Sequence, residues 1–396
     1  MKIIHITSSL YGGAGIAAQR LNSALHKKGI QSSIIYLRPY RKDICGISHF
    51  EKKINGLINV ILNKIYKGMS FNIFPSRIVK YINSIDADIV HLHWINAEML
   101  SINQLCKINK PIVWTFHDMW AMCSVEHYSD SEDYVNGYKN NLFSINNLIK
   151  YLMWNRKRKI FSQLSFSIIS PSQWMHKCVQ KSYFFKNFSS YHINNCLSLS
   201  SFRYLENKSK IKDKWDIPKD KKILTFGAAY SNDPRKGYDL MINSLEKLKF
   251  KNKICLVVFG KGEVNYIDDI QTKFLGEIRK ESDLNEIYNC SDVICIPSRK
   301  DNLPNVCLEA KACRIPIVAF KTSGLVDLVN HKIDGYLAES FNVSDFANGI
   351  EWVINNPNYD KLSESAFESA RNFYSEDKIA LNHQYLYETI LKEKKL

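Results

Sequence analysis

Residues 293–310 read VICIPSRKDNLPNVCLEA. A short apolar run ends at Pro297. A polar loop follows, and from about Asn305 the spacing of apolar residues becomes helical. An apolar run of this kind, closed by a proline and a polar loop, reads as a strand buried on both faces. Such strands belong to parallel sheets, whose crossovers are helices. The same grammar recurs along the chain. Strand-like runs fall at 2–7, 33–37, 89–93, 112–116 and 167–170, then at 223–226, 255–259, 293–297 and 316–320, with helical stretches between them. A charged stretch, 198–222, separates the two sets. The sequence predicts an α/β protein with two doubly wound, Rossmann-like domains: 1–197, a linker over 198–222, and 223–375. In such sheets ligands bind beyond the carboxyl ends of the strands. A cleft between the two domains is the expected place for chemistry.

The composition agrees with two packed cores. Of 396 residues, 45% are hydrophobic and 23% charged, which excludes a disordered or low-complexity chain. The net charge of +15 is uneven. Residues 1–200 hold 24 Lys and Arg against 10 Asp and Glu; residues 201–396 hold 30 against 29. The first half is short of acids, so it is expected to meet something anionic. Two segments, 52–67 and 148–161, mix basic with bulky apolar residues and suit an anionic membrane surface. The N-terminal apolar run is too short for a signal peptide, and no run is long enough to span a bilayer. The ten cysteines are scattered without a CxxC, which implies reduced thiols in a reducing, cytoplasmic setting.

Chemistry is expected in the loops after the strands. Asp301 sits in the loop and Glu309 in the helix that follows; two carboxylates there suit a polyol. The loop 227–237 supplies two cations, Arg235 and Lys236. Together these make a site for a diphosphate attached to a sugar. After the first strand, Gly12-Gly13-Ala14-Gly15 leads into a helix, and Gly13-x-Gly15-x-x-Ala18 also fits a dinucleotide fingerprint. That fingerprint needs an acid at the end of the second strand. Arg38 stands there instead, which leaves an NADP-type oxidoreductase as an alternative. A nucleic-acid-binding protein is a second alternative, although no helix-turn-helix, zinc-finger or RRM pattern accompanies the charge. His91-x-His93 invites a zinc reading, but no Cys or carboxylate has ligand spacing nearby. Asp86-Ala87-Asp88 precedes its strand and lies at the wrong end of the sheet. No metal is expected, and no Ser/His/Asp constellation stands out.

PSRKDNLPNVCLEAKAC at 297–313 resembles the E-x7-E region of retaining glycosyltransferases of family 4, with Asp in the first position, as in the branch that builds bacterial surface polysaccharides such as O-antigen and capsule. Further pieces resemble that branch in order: HLHW at 91–94, THDMW as Thr115-Phe116-His117-Asp118-Met119-Trp120, PSQW at 171–174, Arg235-Lys236-Gly237, Gly260-Lys261-Gly262 and Phe274-Leu275-Gly276. The resemblance runs over about residues 1–375. It implies a GT-B fold and a C-terminal helix, 376–396, that crosses back to the first domain. It implies transfer of a hexose from a UDP- or GDP-sugar to a hydroxyl of a polyprenyl-diphosphate-linked glycan, with retention of configuration and no metal.

By the same resemblance, Glu309 holds the ribose, Asp301 the sugar hydroxyls, and Arg235 and Lys236 the diphosphate. Gly12 and Gly13 let the first loop approach the donor. Gly260, Asn302, Leu303 and the backbone near Ile278 complete the donor site. His117 faces the sugar and the acceptor, with His93, Asp118 and Trp120 on the acceptor side. Arg314 replaces a usual glycine, Gly227-Ala228 replaces a usual Gly-Arg, and residues 121–128 depart from the branch pattern, so acceptor identity does not carry over.

Overall fold

The computed structural model describes residues 1–37, 68–139 and 144–394. Arg38 and the basic segment 52–67 lie outside them. The chain divides into two units, Met1–Asn194 with Ile379–Leu396, and Asn195–Lys378.

The first unit is built on strands β1 (Lys2–Thr7), β2 (Gln31–Tyr36), β3 (Ile89–Leu92), β4 (Ile112–Thr115), β5 (Ser167–Ser170) and β6 (Ser190–His192). Their order is β2-β1-β3-β4-β5-β6, all pairs parallel. The chain reverses direction across the sheet at β1 and β3, so the loops after those strands flank a switch point. Side chains alternate in direction along a strand. Ile4, Ile6, Val90, Leu92, Trp114 and Phe116 therefore fill one apolar core. The alternate positions His5, His91, His93 and Thr115 are buried and polar. His5 pairs with His91 in the sheet register. The helix Glu376–Glu393 contributes from residue 379 onward to this unit, and its Tyr387 hydroxyl meets His91 Nδ1 at 2.6 Å. Asp86 and Asp88 tie the N-terminus: Lys2 pairs with Asp86, and its backbone N–H donates to Asp88 at 2.7 Å.

The second unit carries β7 (Lys222–Tyr230), β8 (Ile254–Lys261), β9 (Gln271–Phe274), β10 (Val293–Ile296), β11 (Ile317–Phe320) and β12 (Gly335–Ala338). The order β12-β11-β10-β7-β8-β9 is parallel throughout. Read from the other edge this is 3-2-1-4-5-6, the dinucleotide-fold order, with its switch point between β7 and β10. Both faces are apolar. Along β8, Cys255 and Val257 enter one core while Leu256 and Val258 enter the other.

The segment 198–222, read as a linker, instead folds with the second unit. It holds the helix Lys208–Lys214, and Arg203 and Leu205 donate their backbone N–H groups to Asn285 and Asn289. The basic run at 156–159 is not one charged face. Lys157 is 1% exposed, and Arg156 is bound to Asn103 and the Ile73 carbonyl. Among the described residues no helix is long and apolar enough to cross a membrane. Of the nine described cysteines, all free, only Cys106 is exposed.

Candidate functional site

Two loops meet at the switch point of the second sheet. The loop after β7 forms a short turn, Pro234–Lys236, capped by Asp233, whose carboxylate accepts the Arg235 N–H at 2.9 Å. Gly237 ends this turn with φ 68, and a Cβ there would lie 2.0 Å from the Pro297 carbonyl oxygen. Only glycine allows both that conformation and that approach. The loop after β10 is joined to it by the Arg299 N–H, which donates to the Arg235 carbonyl at 2.8 Å. Arg299 also clasps the Asp239 carboxylate at 2.7 and 2.5 Å.

This contact brings the predicted charges together. Lys236 forms an ion pair with Asp301, and Arg235 stands 3.7 Å from the same carboxylate. Burial pushes the Asp301 carboxyl up, but the Lys236 and Arg235 charges and its hydrogen bonds outweigh this and lower its pKa. Asp301 is thus an anion that aligns two cations. Its backbone is fixed too: the Asp301 N–H donates to Ser323 Oγ at 2.9 Å, and its carbonyl accepts from Gly324 N–H at 2.9 Å. Glu309 lies in the helix Asn305–Ala312, 3% exposed, and accepts the Tyr288 hydroxyl at 2.6 Å. Ion pairs with Asp233, Asp301 and Asp239 hold Arg235, Lys236 and Arg299 in place at the switch point, where a diphosphate could take over their charge.

The remaining donor-side residues divide. Asn302 is buried beside Asp301, while the Leu303 side chain joins the apolar core, leaving its backbone as the part able to meet a ligand. Gly260 is the last but one residue of β8. A Cβ there would lie 1.9 Å from the Ala228 carbonyl oxygen, so strand packing explains this glycine. Ile278 is half-buried against the core. In the first unit, Gly12 has φ 82, and a Cβ on Gly12 or Gly13 would meet open space. Gly15 is the packing glycine, its Cβ position 2.3 Å from the Ser9 carbonyl oxygen. The fingerprint-like spacing is thereby divided between an open loop and a tight strand–helix contact.

The acceptor-side residues lie deeper than a ligand-facing reading implies. A small pocket is lined by His93, Trp94, Asn96, His117, Asp118 and Trp120. Trp120 is 2% exposed, however; its indole N–H donates to the Ser70 carbonyl at 2.7 Å, and the Lys157 ammonium lies 3.7 Å from its ring centroid. Little of that ring is left for a sugar to stack on. His93 is buried as well. Its Nε2 lies 2.9 Å from His5 Nδ1, and its Nδ1 lies 3.0 Å from His117 Nε2. It reaches the pocket mainly through His117, which is half-buried. Burial lowers the His117 pKa to about 4, against a small opposing pull from Asp118. Asp118 accepts from Trp94 Nε1 at 3.0 Å, Trp120 N–H at 2.9 Å and His127 Nδ1 at 2.6 Å.

His127 Nε2 in turn meets Ser70 Oγ at 2.9 Å. Ser70, His127 and Asp118 thus form a constellation that sequence order did not reveal. The Ser70 N–H is bonded to the Val125 carbonyl, so it does not serve as an oxyanion donor; the network ties the loop after β4 to residue 70. His5 is the other missed residue. His5, His91 and His93 bring ring nitrogens within 4.8 Å of one another, a spacing a metal could use. Most of those nitrogens are already engaged, His5 Nδ1 with His93 Nε2, and His91 with Tyr387 and, at 2.7 Å, Thr115 Oγ1, while His5 Nε2 has no partner. Parallel pairing of the strands at 2–7 and 89–93 was the signal that would have placed His5 beside His91.

Comparison with known proteins follows the same division. Residues 11–200 match the family model described as Glycosyltransferase Family 4, and residues 207–373 the model described as Glycosyl transferases group 1. An uncharacterized glycosyltransferase of Haemophilus influenzae is 32% identical over 173 residues, 41% of this chain and 47% of that protein. The capsular polysaccharide biosynthesis glycosyltransferase CapM of Staphylococcus aureus is 25% identical over 201 residues, 50% of this chain and 51% of its own. The chain thus spans about half the length of these curated relatives. Among solved structures, Anabaena Alr3699/HepE in complex with UDP-glucose has a TM-score of 0.68 at 15% identity, covering 98% of this chain and 100% of that one. That likeness is one of fold, and the two six-stranded parallel sheets are those of the GT-B fold.

Proposed function

We propose that this chain, whose first half matches the family 4 and whose second half matches the group 1 glycosyltransferases, moves a hexose from a nucleotide diphosphate sugar to a hydroxyl of a lipid-linked glycan, with retention of configuration. The carrying observation is the meeting of Lys236, Arg235 and Asp301 at the switch point of the second sheet, with Glu309 buried in the adjoining helix. Lys236 and Arg235 stabilise the departing diphosphate, as fixed cations aimed at developing negative charge. Asp301 and Glu309 accept hydroxyl hydrogen bonds from the sugar and the ribose. Among the described residues no opposed carboxylate nucleophile stands out, which suits front-face attack with the leaving phosphate taking the acceptor proton. His117, Asp118 and their loop serve the acceptor side.

The polyprenyl-diphosphate acceptor and the membrane are part of the same reading. The acid-poor first half favours anionic lipid. In the helix Ile145–Phe161, Ile145 and Leu152 are exposed and share a stripe with exposed Lys159. Co-sedimentation with anionic but not neutral liposomes supports that contact, and equal binding removes it.

The main test is a panel of UDP- and GDP-sugars with nucleotide release as the readout, beginning with UDP-glucose. Release from one donor, unchanged by EDTA and lowered at least ~100-fold by Glu309→Ala, is expected. Near wild-type release by a folded Glu309→Ala variant overturns the site.

A further inference from the structure

His5, His93 and His117 form an unbranched chain of imidazoles in the first unit, joined by contacts of 2.9 and 3.0 Å. Burial, the largest cause at each, holds all three far below the usual histidine pKa. Each neutral ring therefore has one N–H and one bare nitrogen. Two nitrogen–nitrogen contacts need one donor each, so the protons run all one way. In the first order, His5 Nδ1–H donates to His93 Nε2, and His93 Nδ1–H donates to His117 Nε2. In the second, every donor is reversed.

The buried end of the chain, at His5, favours one of them. His5 is 0% exposed, and its Nε2 has no hydrogen-bond partner. In the second order that nitrogen carries a buried proton with no acceptor; in the first it is a bare lone pair. Orphaned buried donors are rarer than under-satisfied acceptors. His91 does not enter the chain, since both its nitrogens are held by Tyr387 and Thr115. It stacks on His93 with centroids 4.3 Å apart and keeps that ring in plane.

We propose that His5 and His93 are positioning residues that fix the tautomer of His117, with its proton on Nδ1 and its Nε2 turned into the protein. His117 then meets a ligand oxygen as a hydrogen-bond donor. This rests on the reading of His117 as a group facing the sugar or acceptor; the tautomer itself does not.

The test begins with the spectrum of the wild-type protein. Histidine labelled with 15N, read through two- and three-bond couplings and assigned by a His117→Asn variant, reports the protonated nitrogen directly. His117 and His93 as Nδ1–H tautomers are expected. An Nε2–H tautomer at His117 overturns the proposal, whatever sugar is transferred. His93→Asn keeps an amide donor near Nδ1, whereas His93→Gln moves it toward Nε2. The Asn variant is expected to retain the His117 Nδ1–H signal, and the Gln variant to lose that signal and to fall below the Asn variant in kcat by roughly tenfold or more. Equal activity in the two variants, with the Nδ1–H signal intact in both, also overturns it. No sugar transfer by the wild-type protein, with its spectrum as expected, overturns the transferase reading and leaves the tautomer standing.

Discussion

Replacing Lys236 by alanine tests the switch-point site on two scales at once. The change removes the ammonium that pairs with Asp301, a carboxylate with a side chain 10% exposed. Loss of one partner from a buried pair costs about 3–5 kcal/mol. Here Lys236 is itself 21% exposed and Arg235 remains 3.7 Å away, so about 2–3 kcal/mol is the reasoned loss. Urea unfolding of purified wild type and variant measures it. Turnover is a separate matter. A cation aimed at a leaving diphosphate is worth roughly 100- to 1000-fold, so initial rates at saturating donor are expected to fall by that factor. The double variant Lys236→Ala/Asp301→Ala separates the two. Its stability loss is expected to be smaller than the sum of the single losses, because no unpaired charge remains. Its activity stays low. A Lys236→Ala protein with the wild-type urea midpoint and the wild-type rate would refute the reasoning; additive stability losses alone would refute the pairing.

Two more outcomes follow from the geometry. Gly237→Ala places a methyl group 2.0 Å from the Pro297 carbonyl oxygen at φ 68, so it is expected to lower stability by at least about 2 kcal/mol and to lower donor binding with it; an unchanged melting temperature would contradict the loop contact. Burial lowers the Lys157 pKa to about 7, so between pH 7 and the unfolded value near 10.5 the unfolded chain binds more protons and stability from this group rises with pH. The difference in urea midpoint between wild type and Lys157→Met is therefore expected to move in favour of wild type from pH 7 to pH 8.5, and a constant difference would count against a buried, depressed lysine.

The sequence made the central strands legible and left the edges dark. Every strand expected from an apolar run is present, because a strand buried on both faces has to be apolar throughout. The three that escaped notice are β6 (SYH), β9 (QTKF) and β12 (GYLA), all edge strands with residues left half-exposed. With polar residues in so few positions they carry no periodic signal. The site divides in the same way. Asp301, Glu309, Arg235 and Lys236 are read from one strand–loop–helix pattern each, since the local chain places them. The burial of Trp120 was not legible, because an aromatic shortly after a strand reads alike whether it faces a ligand or a core. His5, His127 and Ser70 act through partners 9 to 88 residues away, and only strand pairing or loop return brings them into contact.

The buried thiols have a use in following the molecule in time. Cys123 and Cys178 lie in the first unit, and Cys196, Cys255, Cys290, Cys295, Cys307 and Cys313 in the second, all shielded from solvent. An alkylating reagent reaches such a sulfur only when the surrounding structure opens. The rate at which each one is modified is therefore a clock for the opening of its own unit. A nucleotide sugar that stabilises the second unit would slow the clocks at Cys307 and Cys313, in the helix that carries Glu309 and at its end, while leaving those at Cys123 and Cys178 running as before.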